Sequence, residues 1–273
     1  MKNILVPLED HSGVPSVLRT ADLVAATFGG RVEVVPLGPD FEALIAAHFA
    51  VPMSITNEKA QHELQDQLRG LYDDFMRDRR IEGGAADRFV WNGDDLLTDI
   101  KVAALGRVFD VTVIGRPGAD PANPRQATLE AVLFESGRPI LVAPPKPPES
   151  LGGVVAIAWN ASTETARTVA FGMPFLKRAK EIVVISVTSA MSPGPGPDVL
   201  VRALERHGLR VSLDVVDETS LPAGRAILNR ARAAGADLLL KGGYTQSRLR
   251  QMVFGGATSL ILAEAELPVL MAH

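Results

Sequence analysis

Two polar loops in this sequence could bind a phosphate group, and each follows a short apolar run. The second loop opens at Gly242–Gly243, closes at Gly255–Gly256 and leads through Thr258 into a helical stretch. Glycines let a backbone approach an anion closely, and the free N–H groups of a following helix point at it. Cations stand nearby, at Lys241, Arg248 and Arg250. We expect an anion site here; the alternative is that the glycines only cap elements and the cations are solvated.

The corresponding loop of the first half is less suited to a phosphate. It begins with Gly115 and Gly118, but Thr128 stands ten residues after Gly118, where the second loop has a glycine. Three prolines interrupt it, at Pro117, Pro121 and Pro124. Prolines lack the N–H donor that a phosphate cradle needs. We predict that the first half does not bind a nucleotide, and Arg116 and Arg125 leave open an anion site of another design.

Other kinds of catalytic or metal site find little support in the residue pattern. The chain has no cysteine, no Gly-x-Ser-x-Gly elbow and no P-loop. Its five histidines have no metal-binding spacing; they are His11, His48, His62, His207 and His273. Of these, His11 is of interest because it follows Asp10 at the end of the first apolar run. We predict no metal site and no catalytic residues.

Three aspartates precede or begin a helical stretch after Gly93. We expect Asp94 to cap that helix, Asp95 to lie in its first turn and Asp99 to be exposed. The pairs Glu9–Asp10 and Asp94–Asp95 are therefore not assigned to acid–base catalysis.

Composition limits the classes of protein further. The chain has 273 residues, 47% of them hydrophobic, and a net charge of −4. These values exclude a disordered chain and argue against general nucleic-acid binding. No apolar run is long enough for a membrane span, and the first residues lack the pattern of a signal peptide. We expect a soluble, cytoplasmic protein that binds neither nucleic acid nor membrane.

The sequence repeats itself once. Asp10 and Asn160 each end an apolar run and are each followed two residues later by a serine, at an offset of 150. The proline-rich segment 144–150 separates the copies, as expected of a stiff connector. We predict two domains of one type, at 1–146 and 151–273.

Each half contains five short, continuous apolar runs with amphipathic stretches between them. The runs lie near 3–8, 31–37, 86–91, 110–115, 139–143, 153–159, 181–187, 210–216, 236–241 and 268–272. Continuous hydrophobicity indicates strands buried on both faces of a parallel sheet. The predicted fold class is α/β, with two doubly wound five-stranded parallel-sheet domains. The halves differ in segment 39–80, where the first has a long loop and a polar helix from about Thr56.

These features resemble the universal stress protein family in its tandem two-domain form. Nucleotide-binding members carry Gly-x2-Gly-x9-Gly-[Ser/Thr] after strand four and an aspartate at the end of strand one. In the second half the four motif positions are Gly242, Thr245, Gly255 and Gly256. The spacing is kept, but two letters differ, and Asn160 replaces the aspartate. Asparagine keeps a carbonyl acceptor for a ribose hydroxyl or an adenine amine without the charge.

The resemblance implies an architecture and a set of site residues. The domains would resemble adenine nucleotide alpha hydrolases and form an internal pseudo-dimer, in which the last strands, Ile140 to Ala143 and Val269 to Ala272, pair or pack together. Trp159 is expected to pack at the strand end, with an adenine contact as the alternative. The implied cofactor-binding residues are Asn160, Val187, Gly242, Tyr244, Thr245, Gly255, Gly256, Ala257 and Thr258.

The implied function is regulatory: a non-catalytic stress-response protein that binds ATP or another adenine nucleotide in its C-terminal domain, with Mg²⁺ accompanying the nucleotide. Three alternatives stay open. One is a nucleotide-free interaction or scaffold protein that meets a protein partner through segment 39–80. A second is a slow ATPase that uses Thr245, Ser247 and Arg248. The third is a nucleotide alpha hydrolase-like enzyme, for which the chain has no fingerprint.

Overall fold

The structure is a computed structural model that describes residues 1–38, 58–81, 86–93, 95–118, 124–217, 219–244 and 256–273. Ten strands lie in these ranges: β1 (Asn3–Leu8), β2 (Arg31–Pro36), β3 (Phe89–Trp91), β4 (Val111–Gly115), β5 (Ile140–Ala143), β6 (Val154–Ala158), β7 (Glu181–Val187), β8 (Val211–Val216), β9 (Leu238–Gly242) and β10 (Val269–Ala272). Each predicted apolar run overlaps one of them. The expectation that continuous apolar runs form strands is therefore confirmed.

Helices alternate with these strands. They are α1 (Val14–Phe28), α2 (Glu58–Ile81), α3 (Asp99–Gly106), α4 (Gln126–Glu135), α5 (Thr163–Leu176), α6 (Pro197–Glu205), α7 (Ala223–Ala233) and α8 (Ala257–Glu264). The chain thus has the predicted α/β class, with a mostly parallel pairing of strands. No helix among the described residues is both long enough and apolar enough to cross a membrane.

The chain divides into two compact units, Met1–Arg138 and Pro139–His273. In the first unit the strands follow the order β3-β2-β1-β4 and all pairs are parallel. Ile4 pairs with both Val32 and Val111, and it is fully buried because helices cover both faces of the sheet.

The second unit has the strand order β5-β10-β9-β6-β7-β8. All its strand pairs are parallel except β5 with β10, where Leu141 opposes Leu270 in an antiparallel register. The predicted pairing of the two last strands is thus confirmed. Strand β5 groups with the second unit, so the domain boundaries 1–146 and 151–273 stay a prediction from the repeat.

The start of helix α3 differs from the prediction. Thr98 is its N-cap, and the Thr98 side chain accepts a hydrogen bond from the Lys101 backbone N–H. Asp95 therefore precedes the helix instead of lying in its first turn, and Asp94 lies outside the described residues. Asp99 was expected to be exposed, but it is buried because its carboxylate accepts a hydrogen bond from the Thr128 hydroxyl at 2.9 Å.

Candidate functional site

The strand order of the second unit identifies one crevice at the carboxyl edge of its sheet. From β6 the chain moves outward through β7 to β8, then returns to β9 on the other side of β6 and continues to β10. The crossover helices on the two sides of β6 therefore lie on opposite faces of the sheet. The crevice between the carboxyl ends of β6 and β9 is the position where open α/β sheets bind ligands.

Asn160 lies at this crevice, two residues after β6. Its side-chain oxygen Oδ1 accepts a hydrogen bond from the Ser162 backbone N–H at 3.3 Å and another from the Thr165 hydroxyl at 2.6 Å. The expected free acceptor for a ribose or an adenine is thus already used within the chain. The amide nitrogen Nδ2 has no hydrogen-bond partner among the described residues, so Asn160 keeps a donor that a ligand could use.

Lys241 is the second polar side chain at this edge, and only 4% of its surface is exposed. Its ammonium Nζ donates to the carbonyl oxygen of Gly242 at 2.7 Å. Burial lowers the pKa of Lys241 to about 8, and the negative charge of Glu164 opposes that shift. No carboxylate within the described ranges forms an ion pair with Lys241, so its charge has only a neutral carbonyl as a direct partner.

The peptide plane after Gly242 shows where this ammonium lies. The N–H of Gly243 donates to Ala272 in β10 at 2.8 Å. In a trans peptide the carbonyl points opposite to the N–H, so the Gly242 carbonyl points away from β10 and toward β6. Because Nζ of Lys241 is bonded to that carbonyl, it lies on the β6 side of β9, at the crevice.

The motif glycines Gly242 and Gly256 differ in their surroundings. A Cβ on Gly242 would lie 2.5 Å from the backbone nitrogen of Thr165, so glycine is needed there for α5 to pack against β9. Gly256 is the N-cap of α8, and among the described residues it has no side-chain cap and no atom within 4 Å of where a Cβ would be. Ala257 and the buried Thr258 form the first turn. Loop residues 245–255 lie outside the described residues, and they include the predicted Thr245, Ser247, Arg248, Arg250 and Gly255.

Two residues at this edge have a left-handed backbone without being glycine. Ala161, directly after Asn160, has φ of 63°, and Tyr244 has φ of 50°. They are the two such residues in the part of the chain that the structure describes, and this conformation costs energy in a residue with a Cβ. Val187 ends β7 at the same edge and is buried. Strained backbone is therefore concentrated beside the crevice.

Trp159 occupies the last position before Asn160. Its ring is buried, and its Nε1 donates to the Pro195 carbonyl at 3.1 Å. These contacts agree with the packing role that was expected of Trp159, and the indole N–H is not free for a ligand.

The equivalent edge of the first unit is filled by its own side chains. Glu9, at the position of Trp159, has an oxygen Oε2 that accepts hydrogen bonds from the Arg125 backbone N–H at 3.2 Å and from its Nε at 3.0 Å. Arg125 is the N-cap of α4, so this carboxylate lies at the helix terminus where a phosphate would bind. Arg125 also contacts Asp99, at 3.4 Å. The predicted alternative anion site at Arg125 is thus occupied internally.

Three further contacts close this edge. A Cβ on Gly115 would lie 2.3 Å from Cγ of Pro124, so Pro124 packs directly against Gly115. Asp10 accepts a hydrogen bond from Gln67 of α2 at 2.6 Å. The ring Nδ1 of His11 accepts from the Gly13 N–H at 2.9 Å, and burial lowers the pKa of His11 to about 4. His11 is therefore neutral at pH 7 and does not supply a positive charge that would attract a phosphate.

Helix α2 is held on the first unit by one buried face. Leu68, Tyr72 and Met76 lie on this face at helical spacing. Nearer its end, Arg79 contacts the fully buried carboxylate of Asp22 in α1 at 2.6 Å. The part of segment 39–80 that the structure describes is thus engaged within the first unit on that face; residues 39–57 lie outside the described ranges.

Comparisons with solved structures agree with this architecture. The chain is similar to a universal stress protein from Archaeoglobus fulgidus, with a TM-score of 0.68 and 16% identity over 99% of this chain and 95% of that one. It is also similar to a protein described as a universal stress protein from Pseudomonas aeruginosa, with a TM-score of 0.55 and 16% identity over 99% and 92% of the two chains. No family model and no curated protein matches the sequence. The chain therefore has the universal stress protein fold over nearly its whole length.

Proposed function

We propose that the second unit binds an adenine nucleotide, with ATP as the first candidate, and that the chain acts as a regulatory protein of the universal stress type without turnover. One observation carries this proposal. The crevice between β6 and β9 has two side chains with hydrogen-bond donors, Nζ of Lys241 and Nδ2 of Asn160, and no carboxylate among the described residues is paired directly with Lys241, on which Glu164 acts without an ion pair. Such a crevice favours a ligand rich in anionic oxygen atoms.

Different residues of the crevice would contact different parts of the nucleotide. The backbone N–H groups of Gly256, Ala257 and Thr258 begin α8 without a side-chain cap, and they would receive a phosphate. Val187 and Tyr244, at the ends of β7 and β9, would contact the adenosine through their backbones. Thr245 and Gly255 are assigned to the phosphate loop from the sequence pattern alone.

The nucleotide would bring its own metal ion. The described residues include no cluster of three or more His, Asp or Glu side chains that could hold a cation. Mg²⁺ would therefore arrive coordinated to the phosphates, as is usual for this ion. The described side chains at the crevice are donors, and a general base for water activation would have to come from elsewhere in the chain or from the ligand.

The test is to denature the purified protein, chromatograph the small molecules it releases, and titrate the ligand-free protein with MgATP by calorimetry. We expect about one adenylate per chain, or binding of added ATP, and we expect Gly255→Val to abolish it while Gly118→Val preserves it. No release, with no binding at millimolar ATP, would overturn the proposal. Damage by Gly118→Val alone would place the nucleotide in the first unit.

The same experiments separate the alternatives. A nucleotide-free scaffold protein would release nothing and bind nothing. A slow ATPase would release phosphate steadily, and the activity would copurify with the protein and disappear in Gly255→Val. A cytoplasmic location belongs to this proposal and would be tested by fractionation of the cells that make the protein.

A further inference from the structure

Resting on the proposed nucleotide site, we infer that Lys241 is the residue with which the second unit selects phosphorylated nucleotides over nucleosides, by direct contact of its ammonium with a phosphate oxygen. The contact also couples nucleotide binding to uptake of a proton. Neither property follows from the glycine spacing of the loop, because that spacing concerns backbone atoms.

The burial and the positive charge of Lys241 indicate that an anionic partner is missing from the described residues. An ammonium group withdrawn from water is costly unless an opposite charge or several hydrogen bonds compensate it. Among the described residues Lys241 has one hydrogen-bond partner, the neutral carbonyl of Gly242, although an ammonium carries three donors. Glu164 acts on it only from a distance, without an ion pair. Two donors of this buried cation thus have no partner in the part of the chain that the structure describes.

The side chain also leaves β9 on the face that carries the phosphate-binding helix. A Cβ on Gly172 would lie 2.4 Å from Cδ2 of Leu240, so Leu240 faces α5. Side chains alternate along a strand, so Lys241 faces the opposite side of the sheet. Helices α7 and α8 pack against each other on that side, as right-handed crossovers to β9 and β10 require. Lys241 and the uncapped start of α8 therefore share one face and one edge.

The first unit supports this interpretation by contrast. Its β4 has Ile114 directly before Gly115, where β9 has Lys241 before Gly242. There the carboxylate of Glu9 already lies at the start of α4, paired with Arg125. A lysine is found at the edge where no described carboxylate is bonded to the helix start, and an isoleucine at the edge where a carboxylate is bonded to it. This distribution is expected if Lys241 compensates a ligand charge that Glu9 replaces in the first unit.

Proton uptake follows from the charges around Lys241. Glu164 on α5 favours its protonated form and burial opposes it, while Thr258 in the first turn of α8 carries no charge. A phosphate beside Nζ would add negative charge and raise the pKa of Lys241. Near pH 8 a lysine with a pKa of about 8 is half deprotonated, so binding would take up as much as about half a proton per ATP.

The experiment compares wild type, Lys241→Met and the matched control Lys177→Met, which removes an exposed lysine. Each is titrated with MgATP and with adenosine by calorimetry, after circular dichroism has verified folding. We expect Lys241→Met to weaken ATP binding roughly 10- to 100-fold and adenosine binding less than about twofold. Lys177→Met should change neither. Equal losses for ATP and adenosine, or no loss for ATP, would overturn the role of Lys241.

A second measurement needs no variant. Wild-type protein is titrated with MgATP at pH 8 in buffers of different ionisation enthalpy, and the number of protons exchanged is obtained from the difference in heat. Net uptake supports the inference, and no uptake contradicts it. Normal ATP binding that is insensitive to Lys241→Met refutes the inference and leaves the proposed function standing. Failure of wild type to bind ATP at all refutes both.

Discussion

The two units differ in how the carboxyl edge of the sheet is bonded at the start of the following helix. In the first, Glu9 occupies the start of α4, Pro124 rests on Gly115, and Gln67 bonds to Asp10. In the second, the start of α8 has no side-chain cap among the described residues, and the neighbouring strand β9 carries the buried Lys241. In the first unit, Glu9 thus supplies the negative partner both for the start of α4 and for the guanidinium of Arg125.

This difference shows how a duplicated domain can lose a ligand site without losing its fold. A helix terminus and a buried cation each need a negative partner, whether it comes from the chain or from a ligand. In the first unit this negative partner is Glu9. Because Glu9 is part of the chain, no entropy is lost by binding a separate molecule. In the second unit no described side chain takes this position, and we propose that a nucleotide fills it.

The largest effect should come from making the second edge resemble the first. Gly256→Asp places a carboxylate at the N-cap of α8, as Glu9 does for α4, and no described atom lies within 4 Å of the added Cβ. We expect ATP affinity to fall at least about 100-fold, equivalent to about 2.7 kcal/mol, because the carboxylate competes for the same N–H groups. Calorimetric titration with MgATP measures this loss.

The control for that variant is Gly70→Asp, which adds the same charge at an exposed position of α2 with nothing within 4 Å of its Cβ. Its ATP affinity should equal that of wild type. Retention of tight ATP binding by Gly256→Asp would show that the start of α8 is not the phosphate site.

The next effect concerns the stability of the ligand-free second unit. Lys241→Ile copies Ile114 of the first unit, and it should raise the free energy of unfolding by about 1–3 kcal/mol at pH 7. The gain should shrink as pH rises from about 8 to 10.5. In that window the unfolded lysine still binds its proton while the folded one has lost it, so wild type becomes more stable with pH.

Urea unfolding at pH 7 and pH 10 checks this prediction, with the exposed Lys177→Ile as the matched control. A gain that is equal at both pH values would contradict the burial of an uncompensated ammonium. A loss of stability at pH 7 would indicate that Lys241 already has a strong partner within the chain.

A smaller effect is expected where α2 is attached to the first unit. Arg79→Ala removes one partner of the buried Asp22 carboxylate and, among the described residues, leaves Arg19 at 3.2 Å as its remaining ion-pair partner. We expect a cost of about 1–2 kcal/mol and faster hydrogen exchange along α2. Arg77→Ala is the control, since Arg77 pairs with Asp74 on the exposed face of the same helix. Equal effects of the two variants would contradict an anchoring role for Arg79.

The smallest effect belongs to Glu9. Burial raises the pKa of Glu9, although Arg125 opposes the shift. A raised pKa in the folded state means that the contribution of Glu9 to stability is present below pH 4.5 and is lost as pH rises through the folded value. The stability of wild type relative to Glu9→Gln should therefore decrease with pH, by less than about 1 kcal/mol.

Unfolding titrations between pH 4 and pH 7 would detect this trend, and the exposed Glu149→Gln provides the reference for a general charge effect. A relative stability of wild type that rises with pH would show that pairing with Arg125 outweighs burial at Glu9.

Much of the fold could be predicted from the sequence because buried parallel strands have a simple signature. The runs around Ile4, Val113, Ile157 and Leu240 are apolar on both faces, and the offset between Asp10 and Asn160 revealed the duplication. The α/β class, the strand positions and the pairing of β5 with β10 were all predicted correctly.

The site could be predicted less well because its chemistry depends on contacts between distant residues. Nothing local shows that Glu9 bonds to Arg125, 116 positions later, or that Asp99 is buried against Thr128. Lys241 was treated as one cation among several, although its place inside an apolar strand was a signal of burial. The use of the Asn160 oxygen by Thr165 depends on how α5 begins, which sequence spacing leaves open.

The most direct measurement of the central claim is the location of a bound nucleotide. Wild-type protein is irradiated with an azido-ATP photoprobe, digested and examined by mass spectrometry, with excess ATP as competitor. We predict ATP-protected labelling confined to peptides of Pro139–His273. Protected labelling within Met1–Arg138 would contradict the claim that the first edge is closed and the second is open.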